Sequence, residues 1–249
     1  MDSPLSRALW PVLSLGGLAL VWTGAALLIA SPVLPDPLTV WQAFLREASQ
    51  GYWIHLGATL LRVLAAFTLA MAIGSAIGLA LGRSGRADQL FGGWLSLFLN
   101  LPALVTMILC YVWFGLTEVA AITAVAINKI PNVAVTLREG ARQLSRDLDE
   151  MAHVYRLPWQ QRMRHVVLPQ LAPYFAVAAR NGLALVWKIV LVVELLGRSN
   201  GVGFQLGLYF QEFDVAAILA YAFGFILVVQ IIEYGVIAPW ERHANRWRR

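Results

Sequence analysis

Residues Arg138–Pro173 have the sequence REGARQLSRDLDEMAHVYRLPWQQRMRHVVLPQLAP. This segment is the one long polar interruption in an otherwise apolar chain, and it lies between apolar runs long enough to cross a bilayer. Its many charges indicate that it lies in water, whereas its neighbours on both sides belong to the membrane. A polar segment of this length between two spans predicts a surface that contacts another molecule.

The polar segment is predicted to form two short helices. Asp147 and Glu150 have the spacing of a capping box, which predicts that a helix starts at Asp147. Leu157 precedes a proline and is disfavoured in helical geometry, while Pro158 suits the first position of a new helix. An apolar stripe on this second helix is formed by Trp159, Met163, Val166 and Val167. Pro169 is predicted to interrupt the stripe, so we expect two short helices with a bend between them.

The landmarks of this segment resemble the EAA loop of bacterial ABC importer permeases. Glu150-Met151-Ala152 is followed by a turn position at Arg156 and then by Val166–Pro169, at the spacing of the family's E-A-A, glycine and I-x-L-P positions. The resemblance implies a coupling helix that sits in a groove of an ATPase subunit. The residues to which it assigns this role are Asp147, Glu150, Met151, Ala152, Arg156, Leu157, Pro158, Leu168 and Pro169.

Two positions depart from the family pattern. Met151 replaces an alanine, and Arg156 replaces the family's glycine. Because glycine permits a left-handed turn without steric cost, we expect this chain to make its bend in another way, with help from Pro158. The alternative to a coupling helix is an ordinary amphipathic cytoplasmic loop.

The composition indicates an integral membrane protein. Of 249 residues, 59% are hydrophobic and 13% are charged, and the mean hydropathy is +0.66. This composition is too hydrophobic, and too poor in charged residues, for an ordinary soluble domain. The formal charge of +5 does not indicate nucleic-acid binding, because the arginines cluster in the loops between spans. The single cysteine, Cys110, excludes an intrachain disulfide.

Six transmembrane helices are predicted from the apolar runs. They cover approximately residues 8–30, 55–81, 90–114, 119–137, 173–196 and 215–238. We expect a break or kink at Pro102 and a helix cap at Asp214. A cleaved signal peptide is the alternative for the first run. The predicted fold class is an all-α membrane protein, with an N-terminal helix and connector in residues 1–54 and a permease core in residues 55–249 that contains the cytoplasmic coupling loop 138–172.

The positions of the basic residues predict the orientation. One side of the membrane receives most of the arginines, from Arg7 through the polar segment to the C-terminal tail, whereas the other side receives only Arg46 and Arg198. By the positive-inside rule, both termini and the coupling loop are cytoplasmic. The proline-rich connector at residues 31–52 is predicted to lie at the outer interface as a short helix, with one apolar side formed by Val40, Phe44 and Leu45.

A row of glycines lies on one face of the second predicted span. Gly74, Gly78 and Gly82 are spaced four residues apart, which predicts a close helix contact within the transporter core or between two copies of the chain. The alternative is that glycine is simply common in membrane helices.

Ionisable residues inside a membrane are costly and often functional. Arg62 and Arg180 lie near a membrane face, where their side chains can extend to water. Lys129 and Lys188, the only lysines in the chain, lie deeper. A polar strip is predicted to line the translocation path and to favour an anionic substrate; its residues are Lys129, Asn132, Asn181, Lys188 and Glu194. The alternative for the lysines is a structural ion pair with Glu194.

A wider resemblance extends from about His55 to the C-terminus. The segments TLLRVLAAFTLAMAIGSAIGLALGRS, from Thr59, and WKIVLVVELLGRSNGVGFQL, from Trp187, are similar to permeases of the nitrate, sulfonate and taurine importer group. This similarity implies the type I importer permease fold in a bacterial inner membrane. It also implies two permease copies, two ATPase subunits and a periplasmic or lipoprotein substrate-binding protein. ATP and Mg²⁺ are then expected on the ATPase, with no cofactor in this chain.

Other functions are less well supported by the sequence. No G-x-x-x-x-G-K-[ST] phosphate loop occurs in the chain, so we do not expect it to hydrolyse ATP or to be an enzyme. A membrane enzyme that holds Mg²⁺ at Asp147, Asp149 and Glu150 lacks the second acidic cluster of a two-metal site. An ATP-independent secondary carrier or channel is the alternative function, although the inverted repeats expected of such a carrier are not evident.

Overall fold

The computed structural model describes residues 4–239, and the basic C-terminal tail from residue 240 lies outside the described residues. The helices, in chain order, are α1 (Pro4–Ile29), α2 (Pro37–Gln50), α3 (Tyr52–Arg83), α4 (Gly85–Leu99), α5 (Ala103–Phe114), α6 (Glu118–Arg142), α7 (Arg146–Val154), α8 (Trp159–Arg162), α9 (Leu168–Gly197), α10 (Val202–Glu212) and α11 (Val215–Ile232). Two π-helical turns, Met163–Val167 and Glu233–Ile237, join α8 to α9 and extend α11.

Four helical runs in the described part of the chain are long and apolar enough to cross a membrane: α3, α6, Trp159–Gly197 and Val215–Gly235. Helices α4 and α5 give a fifth span if they are counted together, although they are bent by 94°. Pro102, the N-cap residue of α5, lies at this bend, so the predicted break is confirmed. At the first predicted span the structure has the shorter apolar segment Leu13–Ile29. The all-α membrane fold is therefore confirmed, and the count of six helices is supported approximately.

The proline at position 169 does not interrupt a helix, contrary to the sequence prediction. Residues Trp159–Gly197 form one continuous helical run, in which Pro169 takes the second position of α9 and Pro173 lies inside the helix. The π-helical turn Met163–Val167 immediately precedes α9, and its closing backbone hydrogen bond spans five residues. Such a turn accommodates residues that cannot complete the α-helical ladder, so the run continues through both prolines.

The glycine row of α3 lies directly against α6. An added Cβ would lie 2.7 Å from Val133 Cβ at Gly74, 2.5 Å from the Ala134 carbonyl oxygen at Gly78 and 2.5 Å from Ala141 Cβ at Gly82. These distances leave no room for any side chain, so the two helix backbones touch along three successive turns. The close contact lies within one chain and fixes α6 against α3.

The connector helix α2 packs on α11. Val40 and Ala43 are buried in this contact, whereas Leu45, predicted on the same apolar side, is exposed because it lies on the opposite face of α2. Glu47 is also buried, and its carboxylate accepts a hydrogen bond of 2.6 Å from the Tyr209 hydroxyl. Burial and this carboxylate raise the pKa of the Tyr209 hydroxyl, so it keeps its proton and the contact joins α2 to α10.

Side-chain caps define the starts of α6 and α11. The Thr117 hydroxyl accepts the N–H of Ala120 at 3.2 Å, which leaves Glu118 in the first turn of α6. The Asp214 carboxylate accepts the N–H of Ala217 at 2.9 Å, as predicted. Helix α6 ends close to α7 in the chain, so we call the end of the helix bundle at Glu118 the outer end, because it is remote from α7.

Candidate functional site

The predicted coupling helix α7 starts with a serine cap. The Ser145 hydroxyl accepts the N–H of Leu148 at 3.4 Å, and Ser145 has extended backbone geometry. The prediction that Asp147 starts the helix is wrong, because its backbone is already helical and Ser145 is correctly spaced to reach the free N–H. Asp147 and Asp149 instead place negative charge in the first turn, where the helix dipole favours it.

Arg156 makes the bend after α7 in a left-handed conformation, with φ of 49°. The Leu157 N–H bonds the Ala152 carbonyl at 2.9 Å, and the Arg156 N–H bonds the His153 carbonyl at 3.0 Å. These two bonds form a Schellman motif, which ends many helices. The expectation that this chain bends in another way is therefore wrong: arginine takes the conformation that glycine favours, at a cost of about 1–2 kcal/mol.

An ion pair between Asp149 and Arg162 holds α7 against α8. The guanidinium donates at 2.5 Å and 2.6 Å to the two carboxylate oxygens, and its Nε donates at 3.0 Å. A second contact anchors the start of α7, where the Ser145 N–H donates to the Gln170 side-chain oxygen at 2.9 Å. Sequence reasoning missed both contacts. The signal for the first was an acidic and a basic residue on either side of the predicted bend.

The coupling segment presents apolar side chains to water. Val154 is 77% exposed and Tyr155 is 74% exposed, whereas Ala152 is 1% exposed and faces the protein. The predicted apolar stripe is correct for Val166 and Val167, which are buried, but wrong for Trp159, which is 71% exposed because it precedes the turn that packs on the bundle. We call the exposed set the coupling patch; it consists of Leu148, Met151, Val154, Tyr155 and Trp159.

The other predicted coupling residues also lie at or near the surface. Glu150, Arg156, Pro158, Leu168 and Pro169 are exposed, and Leu157 is half-buried. The segment therefore exposes carboxylates at the start of α7 and apolar groups along it.

The predicted polar strip is only partly supported by the burial of its residues. Lys129 is buried, and its ammonium lies 3.7 Å from the position that a Cβ on Gly182 would take. Lys188 and Asn181 are exposed on α9, and Asn132 is half-buried on α6. Within the described residues, neither lysine has an ion-pair partner. Lys188 and Asn181 therefore lie on the outward face of α9, whereas Lys129 lies between α6 and α9.

Glu194 lies outside this strip, contrary to the prediction. Its side chain is fully buried, and Oε1 accepts from Arg62 Nη1 at 2.6 Å. Its other oxygen, Oε2, accepts from the Thr59 hydroxyl at 2.9 Å. The ion pair suggested between Glu194 and a lysine is wrong, and so is the extension of Arg62 to water, because the two residues neutralise each other between α3 and α9.

A second carboxylate completes this cluster at the outer end. Glu118 Oε2 accepts from Arg62 Nε at 2.7 Å, and Oε1 accepts from Arg62 Nη2 at 2.7 Å and from Arg198 Nη2 at 2.6 Å. We call Arg62, Glu118, Glu194 and Arg198 the outer network. It joins α3, the start of α6 and the end of α9 through two arginines and two carboxylates, so its formal charges balance.

Comparisons with known proteins agree on one family. The model of the family described as binding-protein-dependent transport system inner membrane component matches residues 70–236. A putative aliphatic sulfonates transport permease protein of Bacillus subtilis (strain 168) is 28% identical over 97% of this chain and 84% of its own length. A taurine transport system permease protein of Escherichia coli (strain K12) is 27% identical, over 96% and 92%. A putative aliphatic sulfonates permease of the same strain is 31% identical, over 83% and 81%.

Solved structures of two transporters share the fold. A chain of the inward-facing MetNI methionine ABC transporter aligns with a TM-score of 0.65 and 17% identity, covering 76% of this chain and 93% of that chain. A chain of an amino acid ABC transporter aligns with a TM-score of 0.60 and 20% identity, covering 80% and 96%. The arrangement of helices described above is therefore one that chains of these two ABC transporters share.

Proposed function

The chain belongs to the family of binding-protein-dependent transport system inner membrane components and is the permease subunit of an ABC importer; we propose that it carries a small anion and is driven through α7. ATP hydrolysis is performed by a separate ATPase, and a substrate-binding protein is the other general partner of such a subunit. The family excludes the two alternatives raised by the sequence, an ATP-independent carrier and a membrane-embedded enzyme.

The proposal that α7 binds the ATPase is carried by the coupling patch. Exposed apolar side chains are concentrated in a segment that is otherwise polar and that must lie in water. Contiguous apolar groups on a water-exposed surface are typical of a protein contact. The Asp149–Arg162 ion pair and the Schellman turn hold the patch in one shape, which lowers the entropy cost of binding.

Replacing Val154 by arginine is expected to reduce the amount of ATPase that copurifies with the chain by at least about tenfold, or roughly 1.4 kcal/mol of binding free energy. The reason is that a charge without a partner would enter an apolar contact. The measurement is affinity purification in mild detergent, with quantification of the ATPase by mass spectrometry. The control is Gln89→Arg, which adds the same charge at an exposed position on α4. Equal recovery of ATPase with both variants would rule out the patch as the contact.

The assembly is proposed to contain two copies of this chain, two ATPase subunits and a periplasmic or lipoprotein binding protein. ATP and Mg²⁺ would bind to the ATPases. We place the complex in a bacterial inner membrane with both termini in the cytoplasm. This orientation is supported by the charge asymmetry of the loops, because arginines are concentrated on the side that carries α7.

The proposed substrate is a small anion of the sulfonate, taurine or bicarbonate kind. Two observations support this class. The relatives described above carry aliphatic sulfonates and taurine in their names, and a permease of Synechococcus elongatus that is 25% identical over 65% of this chain carries bicarbonate in its name. The only two lysines of the chain, Lys129 and Lys188, lie within predicted spans, on the same helical faces as Asn132 and Asn181 respectively. Cationic groups at depth lower the cost of bringing an anion into a membrane.

Replacing Lys129 and Lys188 together by methionine is expected to lower uptake at least about tenfold, which corresponds to roughly 1.4 kcal/mol in the transport barrier. Methionine keeps the length of the side chain but removes the charge that favours an anion. The measurement is uptake of labelled taurine, ethanesulfonate and bicarbonate by cells, with copurified ATPase as the check on assembly. The control is Lys188→Arg, which keeps the charge. Unchanged uptake by an assembled double variant would refute the role of the lysines.

A further inference from the structure

The loop between α9 and α10, residues 198–201, is held at the outer end by side chains of α3. The carbonyl of Asn200 accepts from Arg62 Nη1 at 2.8 Å, and the side-chain oxygen of Asn200 accepts from Arg62 Nη2. The Gly201 N–H donates to His55 Nδ1 at 3.1 Å, and the Val202 N–H donates to the Thr59 hydroxyl at 2.8 Å. Because His55, Thr59 and Arg62 all belong to α3, the loop cannot leave α3 unless these bonds break.

Glu194 is the fixed part of this arrangement. Its Oε2 also accepts the Gly203 N–H at 2.9 Å, so it caps the start of α10, where the N-cap residue Gly201 has no side chain. A Cβ on Gly201 would lie 2.3 Å from the Glu194 carboxyl carbon, so only glycine leaves room for the carboxylate at this position. No water reaches this group, so separating it from Arg62 would leave a buried charge without a partner.

Glu118 is the part that can be released. Its side chain is 48% exposed although it binds both Arg62 and Arg198. Water can solvate the Glu118 carboxylate after release, whereas Arg62 and Arg198 are only 5% and 12% exposed and stay within the protein. Arg62 would keep Glu194 as its counter-ion after such a release. The outer network therefore has a permanent half, between α3 and α9, and a half that can open between α6 and the other two helices.

Helix α6 connects the releasable half to the coupling segment. Glu118 is its first residue and Arg142 its last, a length of about 37 Å, and α7 begins at Arg146. We propose that Glu118 is the releasable member of a latch, formed with Arg62 and Arg198, that keeps the outer end closed and must open once in each transport cycle. This inference rests on the proposed drive through α7 and adds a point of control at the opposite end of the same helix.

A reversible cross-link tests the latch. Glu118→Cys and Arg198→Cys are introduced together in a Cys110→Ala background, and the two thiols are bridged by a short bifunctional thiosulfonate. In proteoliposomes that contain the chain with its copurified ATPase, bridging is expected to lower ATP hydrolysis at least tenfold, and reduction is expected to restore it. For each single-cysteine variant, the rate of ATP hydrolysis after treatment is expected to equal the rate of the same variant before treatment. Full bridging with unchanged hydrolysis would overturn the latch.

A charge-neutral variant tests the same inference without a cross-link. Glu118→Gln is expected to raise ATP hydrolysis in the absence of any binding protein about fivefold to tenfold, because a neutral amide is a weaker partner for Arg62 and Arg198 than a carboxylate is. The matched control is Glu212→Gln, which removes an exposed carboxylate at the end of α10. If the ATPase bound to Glu118→Gln hydrolyses ATP at the same rate as the ATPase bound to the control variant, the latch is wrong while the coupling role stands. If no ATPase copurifies even with the unaltered chain, the proposed drive and the latch fail together.

Discussion

Replacing Glu194 by glutamine is expected to destabilise the folded chain by about 3–5 kcal/mol. The change keeps the shape of the side chain but removes the negative charge that faces Arg62 at 2.6 Å, where Arg62 is only 5% exposed. Loss of one partner of a buried ion pair typically costs this much, and Glu118, the carboxylate that remains at Arg62, is 48% exposed and compensates only part of the charge. The cap on α10 weakens at the same time, because a neutral amide is a weaker acceptor for the Gly203 N–H. We expect the melting temperature in detergent to fall by about 10 °C.

Two further variants test whether the loss of stability comes from the buried ion pair. Glu212→Gln removes a carboxylate from the surface and is expected to leave the melting temperature unchanged, as are most surface substitutions. Arg62→Met combined with Glu194→Met is expected to cost less than Glu194→Gln alone, because removing both partners leaves no uncompensated charge. A melting temperature of Glu194→Gln that equals that of the Glu212 control would show that the ion pair contributes nothing to folding.

The coupling segment was largely predictable because its signals are local. Helix starts, prolines and the position of Arg156 can be identified within a few residues of one another. Two of the errors in this region are also local in origin. Ser145 and Asp147 are both good capping residues, and only the observed backbone decides between them. The left-handed Arg156 was not expected because glycine is the favoured residue there, yet the Schellman hydrogen bonds outweigh the strain.

The outer network could not be predicted in the same way because it depends on the pairing of helices. Arg62 and Glu194 are 132 residues apart in the chain, and nothing in the spacing of either helix indicates that they meet. The available signal was the charge balance: an arginine and a glutamate inside separate spans are expected to find each other, since neither is stable alone in a membrane. Each residue was assigned a role by itself, and both assignments were wrong for that reason.

Proline shows the same difference between local and tertiary information. Pro102 breaks a span as its chemistry predicts, and the two halves diverge by 94°. Pro169 has the same chemistry but lies just after a π-helical turn, so the helix continues through it. Whether a proline ends a membrane helix thus depends on the turn before it, which the sequence pattern alone does not specify.

Replacing Gly78 by alanine is expected to destabilise the chain by about 2–3 kcal/mol, although it adds only one methyl group. The new Cβ would lie 2.5 Å from the carbonyl oxygen of Ala134 and 2.8 Å from the Cβ of Leu137. Because the first of these atoms belongs to the backbone of α6, the two helices must separate. Overpacking of this kind costs about 1–3 kcal/mol. Separation at Gly78 would also disturb the Gly74 and Gly82 contacts on either side.

The matched control lies on the same helix and is expected to have the opposite sign. Gly57 of α3 has no atom within 4 Å of the position that a Cβ would take, so Gly57→Ala should stabilise the chain by about 0.5–1 kcal/mol through helix propensity alone. Both variants are compared with the unaltered chain by thermal unfolding in detergent. If Gly78→Ala were as stable as Gly57→Ala, the close approach of α3 to α6 would be wrong. A loss at Gly78 with a gain at Gly57 would instead show that the glycine row serves packing, because abundance of glycine in membrane helices cannot produce effects of opposite sign on one helix.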